Sequence, residues 1–345
     1  MNITIIGAGL IGRVLSLMIS QRFDKYNLTL IDKNTSLESK SSCGYVAGGM
    51  ISPYSELALN EKKLLSDGMK SLEYWPQIIS VLPEKDKVYK KNGTLILSHS
   101  QDYHEAERLF NIINTQVKDT LYNIPSIYNK EKLKIYEPSL YIHNFSRNFM
   151  RIEQEASIDT QEFFSQSAYF LERNKNIIYQ SQYIKSIDEL KTNADIVIDA
   201  RGLGAKNDNE KLFGIRGESM LVHAPRVHLQ HSIRVVHPRH PLYIIPRSNN
   251  HYYIGATTIE TDDESPISLR STLELTSALY SIHEGFSESR IIDTYTKSRP
   301  TYSSGYPRIY YKNKSIHING FYRHGYLLAP VFCERLITNY ITKDF

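Results

Sequence analysis

Apolar residues follow several rhythms along this chain. Asn2 to Ile6, "NITII", reads as a short buried strand. In the next stretch, "LIGRVLSLMISQRF", apolar positions recur every three or four residues, as on one face of a helix, and Leu28 to Asp32, "LTLID", reads as a second strand. A second helical rhythm runs from about Leu57 to Val81 on Leu64, Leu65, Met69, Leu72, Trp75 and Ile79, with Pro76 and Pro83 expected to end it. Between about 85 and 145 the pattern shortens to strands such as "GTLILS" and a charged helix around Asp102 to Ile113. Helix and parallel-strand signals return in "SIDTQEFFSQSAYFLER", with Asp159 near the helix start, and in "NIIYQ" and "ADIVIDA". Strands dominate again from Gly217 to about Arg299, interrupted by one helix near Leu269 to Gly285. The last segments are a strand, "IHING", and a glycine turn that opens the helix "GYLLAPVFCERLITNYI".

Parallel-sheet pieces at the start, middle and end, with strand-rich pieces between, predict an α/β chain (α+β overall) of two discontinuous domains. A Rossmann-like dinucleotide-binding domain (1–84, 145–215 and 300–345) is interleaved with a mostly antiparallel-sheet domain (85–144 and 216–299). The length of 345 residues exceeds the usual size of one hydrophobic core and fits this division. With 41% hydrophobic residues and no apolar run long enough for a membrane span, the chain reads as soluble, and without a signal-peptide pattern it is expected to be cytoplasmic. Cys43 and Cys333 match no metal-ligand or disulfide pattern and are expected as free thiols. The net charge of +4 is scattered, which gives nucleic-acid binding no support. The histidines of "VVHPRHP" lie between prolines and read as a turn, so no metal is expected.

Chemistry enters with Gly7, Gly9 and Gly12, a G-x-G-x-x-G run set between the first strand and the first helix. In that setting Gly7 permits the tight turn, Gly9 lets a pyrophosphate reach the backbone, and Gly12 lets strand and helix pack closely. The helix N-terminus supplies amide donors and a positive dipole. Asp32 ends the second strand, where a carboxylate accepts hydrogen bonds from adenosine ribose hydroxyls. The same glycines could serve only a structural turn, but strand, helix and acid together favour a dinucleotide, and the acid argues against NADP. The motif itself leaves NAD and FAD open.

Seven separated segments, among them "SSCGYVAGGMISPYSE", "IDARGLGA", "GIRGESMLV", "PLYIIPR", "YYIGATTIE", "SRPTYSSGYPRI" and "GFYRHGYLLAP", together resemble the FAD-dependent D-amino-acid oxidase family, and within it the glycine oxidases of thiamine biosynthesis. The resemblance spans nearly the whole chain. It implies non-covalent FAD, with the ring beside Ala47, Gly48, Gly49 and Met50, and with Gly320, Arg323, His324, Gly325, Tyr326 and Leu327 at the turn before the last helix; Gly202 belongs to the same cofactor set. It implies Arg299 as the partner of the amino-acid carboxylate, Tyr243 as a pocket tyrosine and Arg323 as a second pocket arginine. Each residue type also has a plainer use: arginines in strands are commonly surface or ion-pair residues, tyrosine is abundant here, and His324 reads equally as a turn histidine.

The implied activity is oxidative deamination of a small amino acid, most directly glycine, with molecular oxygen as acceptor and an imine for the thiazole of thiamine; a homo-oligomer is a general expectation. A D-amino-acid or sarcosine-type oxidase or dehydrogenase, a non-catalytic flavin protein and an NAD-linked dehydrogenase are the alternatives. Three positions depart from the family pattern: Lys297 replaces a small residue, Ser304 an aspartate and Tyr310 a glycine. They leave substrate identity open more than fold or cofactor.

Overall fold

A computed structural model describes residues 1–57, 62–141, 145–238 and 241–342. Its first sheet is the one the N-terminal rhythm predicts. Asn2–Ile6 lies between Asn27–Asp32 and Ile196–Asp199, parallel to both, and Ile177–Ser181 and Ser315–Asn319 extend the sheet on either side, again parallel. Arg308–Lys312 closes one edge antiparallel to Ser315–Asn319. Strands buried on both faces carry near-continuous apolar runs, and helices Leu10–Arg22, Lys62–Ile78, Thr160–Arg173 and Gly325–Leu336 share a core with Ile3, Ile5, Leu28, Leu30 and Ile198. Asp159 caps the helix Thr160–Arg173 by accepting from the Glu162 amide at 3.3 Å.

The second sheet has eight strands and is antiparallel except where Ser232–Val236 runs parallel to Thr94–Ser98. Its long edge strand, Arg290–Thr301, pairs along most of its length with Phe213–His223. Helix Tyr103–Lys118 packs Ala106, Phe110 and Ile113 against Ile96 and Met150, and helix Leu269–Tyr280 packs Leu275 and Leu279 against Ile244 and Ile254. A small sheet of Met50–Ile51, Ala156–Ile158 and Tyr89–Lys90 stands apart from both.

Two expectations change. The helix that begins at Lys62 runs through Pro76 to Ile78 and continues as a tight turn to Val81, so Pro76 does not end it. Proline removes an N–H and crowds the turn before it; here Trp75, fully buried against Phe163 and Tyr326, holds the segment in place. Strand Asn148–Ile152, in a segment assigned above to the dinucleotide-binding domain, pairs with Thr94–Ser98 and Ser126–Asn129 in the eight-stranded sheet. Its local pattern cannot choose between sheets, because partner choice is a long-range matter. Residues 58–61 of the expected helix, Arg239 and His240 of the proline-flanked turn, and 142–144 and 343–345 of the domain spans lie outside the described residues. Among the described residues no helix is long and apolar enough to cross a membrane.

Candidate active site

A cavity of about 1030 Å³ is walled by both large sheets, and most of the residues singled out in the sequence converge on it. At one end the first strand turns into the first helix. The Gly7 amide donates to the Ile31 carbonyl at 2.7 Å, and φ at Gly7 is +105°, where a side chain is strained. A Cβ on Gly12 would lie 1.9 Å from the Gly7 carbonyl oxygen, so this helix can approach its own loop only over hydrogen. Gly7 and Gly9 face the cavity; Gly12 does not, serving it by packing beneath. Asp32 also faces it, its Oδ2 accepting from the Ala8 amide at 2.7 Å and its Oδ1 from the Asn34 amide at 2.9 Å, which fixes the carboxylate beside the loop.

Arg13 locks this end. Its guanidinium, 1% exposed, donates to the carbonyls of Ala8 at 2.9 Å and Phe164 at 2.9 Å, to Ser167 Oγ at 2.7 Å and to the Leu37 carbonyl. Burial lowers its pKa to about 10, countered in part by Tyr326 and Asp32.

Along the middle of the cavity Ala47, Gly48, Gly49 and Met50 form one wall. Their segment is pinned by Thr160 Oγ1, which donates to the Tyr45 carbonyl at 2.8 Å, and by Arg247, which donates to the Gly48 carbonyl at 2.6 Å. His324, Gly325, Tyr326 and Leu327 bring the N-terminal turn of the last helix to the same cavity. Trp75 Nε1 donates to the Tyr326 carbonyl at 2.8 Å and the Tyr326 hydroxyl to the Gly44 carbonyl at 2.8 Å, so that turn is held from two sides. Gly202 lies on the wall; Gly320 does not, and packs against the Tyr302 ring while its neighbours Asn319 and Phe321 reach the cavity. Bare backbone at a helix N-terminus, a fixed carboxylate beside it and a long wall of small residues make a cradle that fits a dinucleotide joined to a flat ring.

The polar groups gather beside that wall. Arg299 stands opposite Ile215 in the sheet and its guanidinium leans over Gly217, where a Cβ would lie 2.0 Å from Nη2. Nη1 donates to the Thr257 carbonyl at 3.1 Å, and among the described residues no carboxylate pairs with this half-buried cation. Burial lowers its pKa, with Arg323 adding to the effect.

Arg323 is differently placed. It donates to Glu56 Oε1 at 3.2 Å and to the Tyr243 hydroxyl at 2.9 Å, and that hydroxyl donates to the same carboxylate oxygen at 3.0 Å. Burial alone would raise the Glu56 carboxyl, but Arg323, His324, Arg234 and the Tyr243 hydroxyl together outweigh it and hold the pKa at about 2. His324, 3% exposed, has Nδ1 4.0 Å from Glu56 Oε2; burial lowers its pKa to about 4.

Of the three positions that depart from the family pattern, Lys297 alone lines the cavity, paired with Glu264 at 2.6 Å. Ser304 is exposed, and Tyr310 stacks on His317 with centroids 4.7 Å apart, away from the cavity. Glu56, Gly217, Arg13 and Arg234 were not singled out by sequence. The first two sit inside the segments that carry the resemblance, but nothing in local spacing marks a glutamate as an arginine's partner or a glycine as the floor beneath one.

The family model described as DAO, FAD dependent oxidoreductase, matches residues 2–338. A Rhizobium etli protein that carries the name thiamine biosynthesis oxidoreductase ThiO is 30% identical over 344 residues, 100% of this chain and 98% of its own length. Among solved structures, glycine oxidase from Geobacillus kaustophilus superposes with a TM-score of 0.83 at 18% identity, covering 99% of this chain and 94% of that one. Iminodiacetate oxidase (IdaA) from Chelativorans sp. BNC1 does so with a TM-score of 0.81 at 17% identity, covering 99% and 95%. With the cradle, the carboxylate and the shared fold in agreement, the chain belongs to the DAO family of FAD-dependent oxidoreductases.

Proposed function

We propose that this oxidoreductase oxidises the carbon–nitrogen bond of a small amino acid, glycine first among them, and releases an imine that serves the thiazole of thiamine. The observation that carries the reading is Arg299: a half-buried guanidinium on the cavity wall, with no carboxylate partner among the described residues. A planar guanidinium in that state is matched by a substrate carboxylate through two parallel charge-assisted bonds.

Gly7, Gly9 and Asp32 would hold the adenylate half of FAD, and Ala47 to Met50 with Gly325 to Leu327 the ring. The chemistry FAD supplies when bound is two-electron oxidation of the α-carbon–nitrogen bond, with molecular oxygen as final acceptor and hydrogen peroxide as product. Arg299 fixes the carboxylate end, so the α-carbon is presented at one distance from the wall. The Glu56–Arg323–Tyr243 cluster is internally satisfied at Oε1 and forms a rigid boundary. Burial of the site favours the neutral amine, the form that can lose electrons from nitrogen. Non-covalent binding is supported by Cys43: burial pushes its thiol up to about 12, and it donates to the Ser298 carbonyl at 2.9 Å, so it is no ready nucleophile. The full-length likeness to a protein named for thiamine biosynthesis supports the role of the product.

The test is the visible spectrum of the purified protein without oxygen. Bleaching of a flavin band by glycine, and its return on admitting air, is the expected result. Bleaching only by sarcosine or a D-amino acid would keep the chemistry and replace the substrate; a colourless protein that cannot be loaded with FAD would overturn the reading.

A further inference from the structure

Arg299 is not alone among the cations at the substrate end of the cavity. Arg234, on the strand Ser232–Val236, stands opposite Tyr243 and lines the same cavity. It is 7% exposed, its guanidinium carbon lies 5.6 Å from the Tyr243 ring centroid, and Nη1 has no hydrogen-bond partner. Among the described residues Arg234 forms no ion pair. The Tyr243 hydroxyl and Glu56 Oε1 beside it are already joined to Arg323. Glu155, the next buried carboxylate, is off the cavity wall and accepts from the Tyr54 and Ser55 amides and the Ser55 hydroxyl. Around Tyr243, Arg234 thus acts through space on Glu56 at the wall and Glu155 behind it, with a hydrogen bond to neither, while Arg323 holds Glu56 Oε1 directly. A buried guanidinium whose neighbouring carboxylates are bonded elsewhere is poorly compensated, and a single amino-acid carboxylate on Arg299 leaves Arg234 without a hydrogen-bonded anion.

We propose that Arg234 binds a second acid group of the substrate, so that the cavity accepts amino or imino acids carrying one carboxylate for Arg299 and another for Arg234. The assignment rests on the reading of Arg299 as carboxylate anchor. It places the distal acid beyond the reacting amine, on the Tyr243 side.

The experiment compares sarcosine with iminodiacetate, which replaces the N-methyl group of sarcosine by a carboxymethyl group, in FAD-loaded wild-type protein, R234M and R234K. Wild type should favour iminodiacetate in kcat/KM by about tenfold or more, as one charge-assisted bond implies. The ratio should fall towards one in R234M and lie between in R234K. A parallel titration with non-oxidisable acids, followed by the flavin spectrum, should show malonate or succinate bound more tightly than acetate by wild type but not by R234M. No preference for diacids in wild type, or a preference untouched by both substitutions, would overturn the assignment. Should no amine reduce the flavin while diacids still bind through Arg234, the oxidase reading fails and this one stands.

Discussion

Arg299 and Gly217 work as one unit: the arginine reaches its place because the residue beneath it has no side chain. Substituting Gly217 by alanine puts a carbon 2.0 Å from Nη2 and must push the guanidinium aside. The expected result is a rise in KM for the amino acid, with kcat much less affected and FAD content unchanged. Arg299→Lys keeps the charge but loses the paired geometry, and should lower kcat/KM by roughly two orders of magnitude, the worth of about 3 kcal/mol in charge-assisted bonding. Steady-state kinetics on the two variants separates the effects. His324 sets a pH dependence of a different kind. Its pKa is lowered from 6.5 to about 4, so between those values the unfolded chain takes a proton that the folded one refuses. Stability should therefore be full above about pH 6.5 and fall as the pH drops towards 4, by on the order of 3 kcal/mol from this group. Melting curves from pH 7 to 5 should be flatter for His324→Asn than for wild type, and equal slopes would remove His324 from the account.

At the scale of elements, the two glycine-bearing turns at the cavity have different supports, and the sequence exposed one better than the other. The first, G-x-G-x-x-G between strand and helix with an acid at the next strand end, is a local pattern and could be read directly. Gly12→Ala should yield protein purified with little or no FAD, since a Cβ there meets the Gly7 carbonyl at 1.9 Å; the flavin-to-protein absorbance ratio measures it. The second, at the start of Gly325–Leu336, was legible as a glycine turn into a helix, but its place beside the cofactor came only through resemblance, because its support comes from Trp75 and Gly44, far away in the chain. Trp75→Phe leaves the buried Tyr326 carbonyl without that donor and should cost about 1–3 kcal/mol in denaturant unfolding. The same non-locality explains Pro76 and the strand Asn148–Ile152: periodicity told helix from strand, but packing decided how far the helix ran and which sheet the strand joined. Glu56 was hidden for a like reason, since its meaning depends on Arg323, 267 positions along.

Across the whole molecule the cavity is the seam between two sheets, so a bound FAD joins structures that otherwise meet through their own side chains. FAD added in excess should raise the melting temperature in a concentration-dependent way, by about 2.7 kcal/mol of stability at a hundredfold excess over its dissociation constant. A melting point indifferent to FAD would mean the cofactor does not discriminate between folded and unfolded chain.

The order of strands in the parallel sheet has a further outcome during synthesis. Asn2–Ile6, the strand that delivers Gly7, pairs with Asn27–Asp32 at once but must wait for Ile196–Asp199, and that strand in turn waits for Ser315–Asn319. The turn at Gly325 that closes the cavity comes later still. A growing chain on the ribosome therefore carries an unfinished flavin cradle until the Gly325 turn has emerged, and nascent chains halted before the Ser315–Asn319 strand should take up no flavin.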